Sequence, residues 1–238
     1  MKVKTKIIIT LCALVVCLTM AYFCLDKIAQ TILSGLEAKD KVTIVVDAGH
    51  GGIDAGCIGI TGALEKEINL AITMDLADML RLGGYNVVLT RSNDKEVSDK
   101  NAKGIREKKE TDIYNRLDII EESNAAAFVM IHQNKYIDSQ YSGAQMFYNE
   151  TTPGAEEFAD VLQRAFVNNL QPENTREIKE CEGSIYLLCQ SQVPGVLVEC
   201  GFLSNANEEA LLSNRDYQRK VAFTVYNGIT EYLNTYAG

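Results

Sequence analysis

Val42-Thr43-Ile44-Val45-Val46-Asp47-Ala48-Gly49-His50-Gly51-Gly52 is the stretch on which the fold turns. Its first five residues are apolar or β-branched without a break, the mark of a strand buried on both faces. A glycine-rich turn carrying a histidine follows. Downstream, Ile68, Ala71, Ile72, Leu76, Met79 and Leu80 recur at helical spacing, which predicts a helix from Glu65 to Leu82, stopped by Gly83-Gly84. Asn86 to Thr90 reads as the next strand, and the charged stretch Asn93 to Glu110 as a solvated loop. Ile113 to Ser123 then reads as a helix and Ala127 to Ile131 as a second buried strand. Gln145 to Tyr148 is a shorter strand and Glu156 to Leu170 an amphipathic helix. Ser184 to Leu188 and Val196 to Val198 are strand-like, and Tyr217 to Leu233 is a closing helix. Strands alternating with helices imply a single three-layer α/β domain over residues 42–238, with a mainly parallel or mixed central sheet flanked by helices.

The N-terminus is different in kind. Lys2, Lys4 and Lys6 precede Ile7 to Leu25, 19 positions without a charge, and Asp26 follows. That length can cross a bilayer core as a helix, and the flanking charges favour a cytoplasmic N-terminus with the remainder outside. A cleaved signal peptide is the rival, but Thr19-Met20-Ala21 is a poor cleavage site and the apolar run continues through Tyr22-Phe23-Cys24-Leu25. Tyr22-Phe23 before Cys24 does not suit a lipid-attachment signal. The expected organisation is an anchor or signal segment over residues 1–25, a connector over 26–41 and an exported domain, membrane-anchored or secreted.

In the whole chain of 238 residues, 47% are hydrophobic and 23% charged, which suits a globular protein rather than a disordered one. Lys and Arg number 23 against 32 Asp and Glu, a net charge of −9, and no local basic stripe interrupts it. Nucleic acid is thereby excluded as an expected partner. The seven cysteines form no C-x-x-C pair, so neither a zinc knuckle nor a thioredoxin motif is present. A Cys181–Cys189 bridge is left open.

The chain has two histidines. His132 directly follows an expected buried strand, and His50 comes a few residues after another. Glu199 stands in the same relation to Gly195-Val196-Leu197-Val198. In open α/β sheets the binding crevice lies beyond the carboxyl ends of the strands, so three strands deliver His, His and Glu to one edge. Two imidazoles and one carboxylate around Zn2+ leave a fourth position for water, the arrangement of a catalytic site. An ion so held acidifies water and polarises a carbonyl, while a further carboxylate can take the proton. The glycines around His50 would let the backbone turn tightly; a dinucleotide or phosphate fingerprint is incomplete there. Asp47 either orients His50 or only ends its strand. Glu65 and Glu67 both open the first helix, where a carboxylate also suits the helix dipole; that role is the preferred one for Glu67, and the third ligand stays open at this point.

Assembled, these residues make the sequence resemble the zinc-dependent N-acetylmuramoyl-L-alanine amidases of bacterial cell-wall metabolism. The resemblance runs through Val46-Asp47-Ala48-Gly49-His50-Gly51-Gly52-Ile53-Asp54, Leu64-Glu65-Lys66-Glu67-Ile68-Asn69-Leu70, Ile131-His132-Gln133-Asn134 with Gly143-Ala144-Gln145-Met146-Phe147-Tyr148, and Val198-Glu199-Cys200-Gly201-Phe202-Leu203-Ser204-Asn205. It implies zinc held by His50, Glu65 and His132, with Glu199 as the catalytic carboxylate, Asn134 in a supporting role, and peptidoglycan as substrate. The bond implied is the amide between the muramoyl lactyl group and L-alanine. Gln133, Cys57 and Cys200 depart from the family's usual residues. Eight residues between Asn134 and Gly143 are too few for the long autoinhibitory helix of cell-division members, which leaves a partner protein as a route of regulation. An anchor with a bare catalytic domain is similar to the sporulation and germination branch, which prepares spore cortex for muramic lactam formation.

Two rivals stand beside this reading. One is a thiol amidohydrolase using Cys200 with His132, although neighbours on a strand point to opposite faces and Glu199 competes for the site side. The other is a membrane-tethered peptidoglycan-binding protein without activity.

Overall fold

The computed structural model describes residues 13–28, 30 and 42–236, and the chain divides into two units at Lys41/Val42. In the first unit, residues 13–28 form a helix, α1, whose apolar side chains, Leu14, Leu18, Tyr22 and Leu25 among them, are exposed. Among the described residues no helix is long and apolar enough to cross a membrane. Residues 7–12 of the expected span, and most of the connector, lie outside the described residues.

The second unit is built on a six-stranded mixed sheet of order β2-β1-β3-β6-β4-β5. The strands are β1 (Thr43–Ala48), β2 (Asn86–Leu89), β3 (Ala127–Asn134), β4 (Gln145–Tyr148), β5 (Lys179–Glu180) and β6 (Gly195–Phe202). β2, β1, β3 and β6 run parallel, while β4 pairs antiparallel with β6 and parallel with β5. Because side chains alternate across a strand, the sheet offers two apolar faces. Val46, Val129, Ile131, Val196 and Val198 pack under α2 (Glu65–Leu82), α4 (Ala155–Asn169) and α7 (Arg215–Thr235). Val45, Phe128, Met130 and Leu197 pack under α3 (Gly104–Glu122) and the short α5 (Tyr186–Gln190). This is the expected three-layer α/β architecture.

Several boundaries differ from expectation for identifiable reasons. α3 begins at Gly104, inside the stretch read as a solvated loop. Its first turns are rich in Arg, Glu and Lys, strong helix formers that carry no apolar stripe to betray a helix. Ser184 to Leu188, read as a strand, contributes instead to α5. Its four apolar residues, Ile185 to Leu188, have no period that separates the two states, and Glu182 and Gly183, at φ 46° and 78°, turn the chain into a helix. β5 and α6 (Ala206–Leu212) have no counterpart in the sequence reading; Asn205 caps α6 by accepting from the backbone of Asn207 and Glu208. β3 and β6 run on through His132 and Glu199, so both residues stand in the last turns of the pleat and not after it. The eight residues after Asn134 form bends and turns with no helix. Cys181 and Cys189 are free thiols with their sulfurs 3.1 Å apart.

Candidate metal centre and active site

The turn after β1 sets the first candidate ligand, His50. His50 has φ 63°, an unfavourable region for a residue with a Cβ, and Gly51 and Gly52 continue at positive φ. Two buried guanidiniums hold this turn in place. Arg116 donates to the carbonyls of Ala48 (2.9 Å) and His50 (2.7 Å), and Arg91 to those of Ala48 (2.8 Å) and Gly49 (2.9 Å). Asp47 is committed to this scaffold: its Oδ1 accepts from Arg116 (2.6 Å) and from the Thr90 hydroxyl (2.6 Å). Burial opposes its charge, but Arg116 and Thr90 outweigh that and hold the carboxyl below its ordinary range. The residue that orients His50 is therefore Asp54, not Asp47. Asp54 Oδ2 lies 2.8 Å from His50 Nδ1, and Lys109 anchors the other oxygen at 2.8 Å.

The far side of the His50 ring meets Glu65. His50 Nε2 is 3.2 Å, and His132 Nδ1 3.0 Å, from Glu65 Oε1, with the two rings 4.9 Å apart. The ligand atoms of all three residues lie within 4.8 Å of one another. Glu65 is buried and wired at both oxygens: Oε2 accepts from the Cys57 amide (2.7 Å), and Oε1 from the Gln133 amide (3.1 Å) and Asn69 Nδ2 (3.3 Å). Glu67 is exposed and stands outside this group. Burial opposes charge on Glu65, yet the two imidazoles outweigh it and hold its carboxyl far below the usual range. Glu65 and, behind the ring, Asp54 push His50 up to about 9 against the effect of its own burial. Two nitrogens and an oxygen converging in this way fit zinc with one position left over.

Glu199 completes the group. It is the Cα partner of His132 in the β3–β6 pairing, so both side chains leave the sheet on the same face. It is half-buried, and its enclosed Oε2 has no hydrogen-bond partner among the described residues. Burial pushes its carboxyl up to about 7. Cys200 points the other way, fully buried in the core beneath α2 and α7, where burial drives its thiol well above the ordinary range. That geometry removes it as a nucleophile beside His132. Asn134 reaches no ligand and instead lines a cleft of about 260 Å³ on the β4 side of Glu199. A second cavity, also about 260 Å³, opens on the β1 side beside His50, His132 and α3.

Four supporting residues escaped the sequence reading. Asn69 had a signal, since it lies four positions beyond Glu65 and so on the same helix face. Asp54 sits four residues after His50 but in a loop, where spacing predicts nothing. Arg91 and Arg116 act on backbone carbonyls far away in sequence and left no local trace.

Residues 44–231 match the N-acetylmuramoyl-L-alanine amidase family. The germination-specific N-acetylmuramoyl-L-alanine amidase of Bacillus subtilis (strain 168) is 37% identical over 190 residues, 80% of this chain and 79% of the relative. Among solved structures, the CwlD amidase of Clostridioides difficile, determined in complex with the GerS lipoprotein, superposes with a TM-score of 0.78 at 41% identity. That match covers 82% of this chain and 99% of the other. The amidase AmiC2 of Nostoc punctiforme gives a TM-score of 0.72 at 30% identity, over 82% and 99% of the two chains. With its fold, its converging donors and these relatives in agreement, the chain belongs to the N-acetylmuramoyl-L-alanine amidase family of peptidoglycan hydrolases.

Proposed function

We propose that the protein is a zinc-dependent amidase in which His50, Glu65 and His132 hold the ion and Glu199 is the general base. The observation carrying this reading is Glu199 itself: an enclosed carboxylate oxygen without a partner among the described residues, on the same face as His132 and beside three converging donor residues. Zinc, when bound, supplies a Lewis acid that polarises the scissile carbonyl and acidifies water. Glu199 takes a proton from the attacking water and delivers it to the L-alanyl nitrogen as the C–N bond breaks, leaving a muramoyl carboxylic acid and a free peptide amine. A carboxyl pushed to about 7 by burial suits both halves of that transfer near neutral pH. Asp54, backed by Lys109, keeps the His50 ring in the tautomer that presents Nε2 to the metal.

The relatives and the N-terminal sequence also support a biological setting. Likeness to the germination-specific amidase supports a role in spore cortex maturation, through stem-peptide removal ahead of muramic lactam formation. The lipoprotein complex of the Clostridioides difficile relative supports a regulatory protein partner here too. The lysine-flanked apolar segment supports anchoring on the outer side of the membrane.

The decisive experiment measures bound metal and released peptide for the purified wild type and Glu199→Gln on peptidoglycan. Zinc in both, with release only by the wild type, is the expected result. Equal release by the two proteins would remove Glu199 from the mechanism, and zinc-loaded wild type without release would overturn hydrolysis of this bond. Expression in Bacillus subtilis lacking its germination-specific amidase, read as muramic lactam in the cortex, tests the sporulation role.

A further inference from the structure

Two cavities of similar size flank the metal triad and Glu199 on one face of the sheet, and their charges differ in kind. In the cavity on the β1 side every cation is already matched: Lys108 pairs with Glu96 (2.7 Å), Lys109 with Asp54 (2.8 Å), and Arg116 with Asp47 and Asp112. The cleft on the β4 side contains Arg176 and Lys179 and no acidic residue, and among the described residues neither cation forms an ion pair. In a chain of net charge −9, two cations outside any ion pair at this cleft, with the carboxyls of Glu199 and Glu208 feeling the Arg176 charge, favour an anionic ligand.

The guanidinium of Arg176 is also held in position. Its Cζ lies 5.0 Å from the centroid of the Phe202 ring, and Nη2 donates to Gln145 Oε1. Nε is buried without a hydrogen-bond partner among the described residues. Gln145 is the cross-strand partner of Glu199, so this fixed fork stands one strand away from the general base. Tyr141, ring-packed on Phe202, adds an aromatic wall.

Resting on the amidase reading above, we propose that this cleft is the subsite for the leaving peptide, and that Arg176, assisted by Lys179, takes the free α-carboxylate of the acidic residue following L-alanine. The uncharged sugar side of the substrate then lies toward the β1-side cavity, where the cations are spent. Arg176 is thus a specificity-determining residue, and a carboxamide in place of that carboxylate forfeits its forked contact.

The test uses two muramoyl tripeptides that differ only in whether the second residue carries an α-carboxylate or a carboxamide. The wild type should favour the carboxylate in kcat/KM by about tenfold or more, the scale of one charge-assisted contact. Arg176→Gln should abolish that preference by lowering kcat/KM for the carboxylate substrate alone, and Arg176→Lys should recover part of it. Lys179→Ala, on the exposed edge strand and remote from the core, should lower the preference by a few-fold and serves if Arg176→Gln does not fold. Equal losses on both substrates, or none, would overturn the proposal. A second readout needs no turnover: calorimetric binding of the free L-alanyl product peptides, with carboxylate or carboxamide. If the wild type cleaves neither substrate but still prefers the carboxylate peptide through Arg176, the amidase reading fails and the subsite stands; if it cleaves both alike, the reverse holds.

Discussion

Gly49→Ala isolates how tightly the second histidine is held. A Cβ at this position would stand 2.2 Å from His132 Nε2 and 2.3 Å from Cε1, more than an ångström inside the ordinary 3.4 Å contact. The backbone of Gly49 is not in the left-handed region, so alanine brings no φ strain, and the whole effect falls on the imidazole. Nor can the glycine retreat easily, because its amide donates to the Ile131 carbonyl of β3 at 3.1 Å. The ring must therefore shift by about an ångström, opening the 3.0 Å approach of Nδ1 to Glu65. A misplacement of about 1 Å costs catalysis on the order of 10²-fold, while overpacking costs only about 1–3 kcal/mol of stability. The assay is a zinc competition titration with a chromophoric chelator, followed by kcat/KM at saturating zinc and a thermal melt. Gly62→Ala is the control: at φ 96° with open space around it, it should lose stability through strain and leave zinc affinity unchanged. Zinc binding and turnover by Gly49→Ala within threefold of the wild type would refute the argument that this glycine exists to make room for the ring.

Asp54→Ala removes the carboxylate 2.8 Å from His50 Nδ1 and should weaken zinc binding by about 10- to 100-fold in the same titration; unchanged affinity would mean that the backbone alone orients the ring. Arg116→Met leaves Asp47 as an uncompensated buried charge and strips donors from two loop carbonyls, so chemical denaturation should show a loss of about 3–5 kcal/mol. A loss below about 1 kcal/mol would contradict the clamp. Glu199→Gln carries a pH signature in the metal-free protein. Its carboxyl, 4.5 in the ordinary case, is raised to about 7 in the fold, so ionisation disfavours folding: the cost is absent below the ordinary value and complete once pH passes the folded one. The variant should match the wild type at about pH 4 and exceed it by up to about 3 kcal/mol at about pH 8.5; a pH-independent difference would exclude this account.

What the sequence made legible is what a period of two or of 3.6 governs. Val42 to Val46 and Ala127 to Ile131 declare themselves as buried strands, and the side-chain alternation that puts Glu199 on the site face also sends Cys200 into the core. His50 and His132 could be brought together because strand ends share an edge in such sheets. The choice of Glu65 over Glu67 has no periodic signal, since both begin the same helix; it depends on which acid the 57–65 loop closes over, a contact only the folded chain defines. Arg116 shows the limit most clearly. It lies 69 residues from Asp47, on a helix whose first half reads as solvated loop, because that half carries charge where a core-facing helix would carry leucine. Those charges do not face only water. Lys108, Lys109, Asp112 and Arg116 turn toward the β1-side cavity and are matched there, pair by pair, to Glu96, Asp54 and Asp47 or to one another. A charged stretch without apolar period is ordinarily a solvated loop, but next to a metal centre the same composition can be the wall of the site. The distinguishing feature is not the charge of the segment. It is whether acids elsewhere in the chain, here in the turn after a buried strand, are placed to meet it.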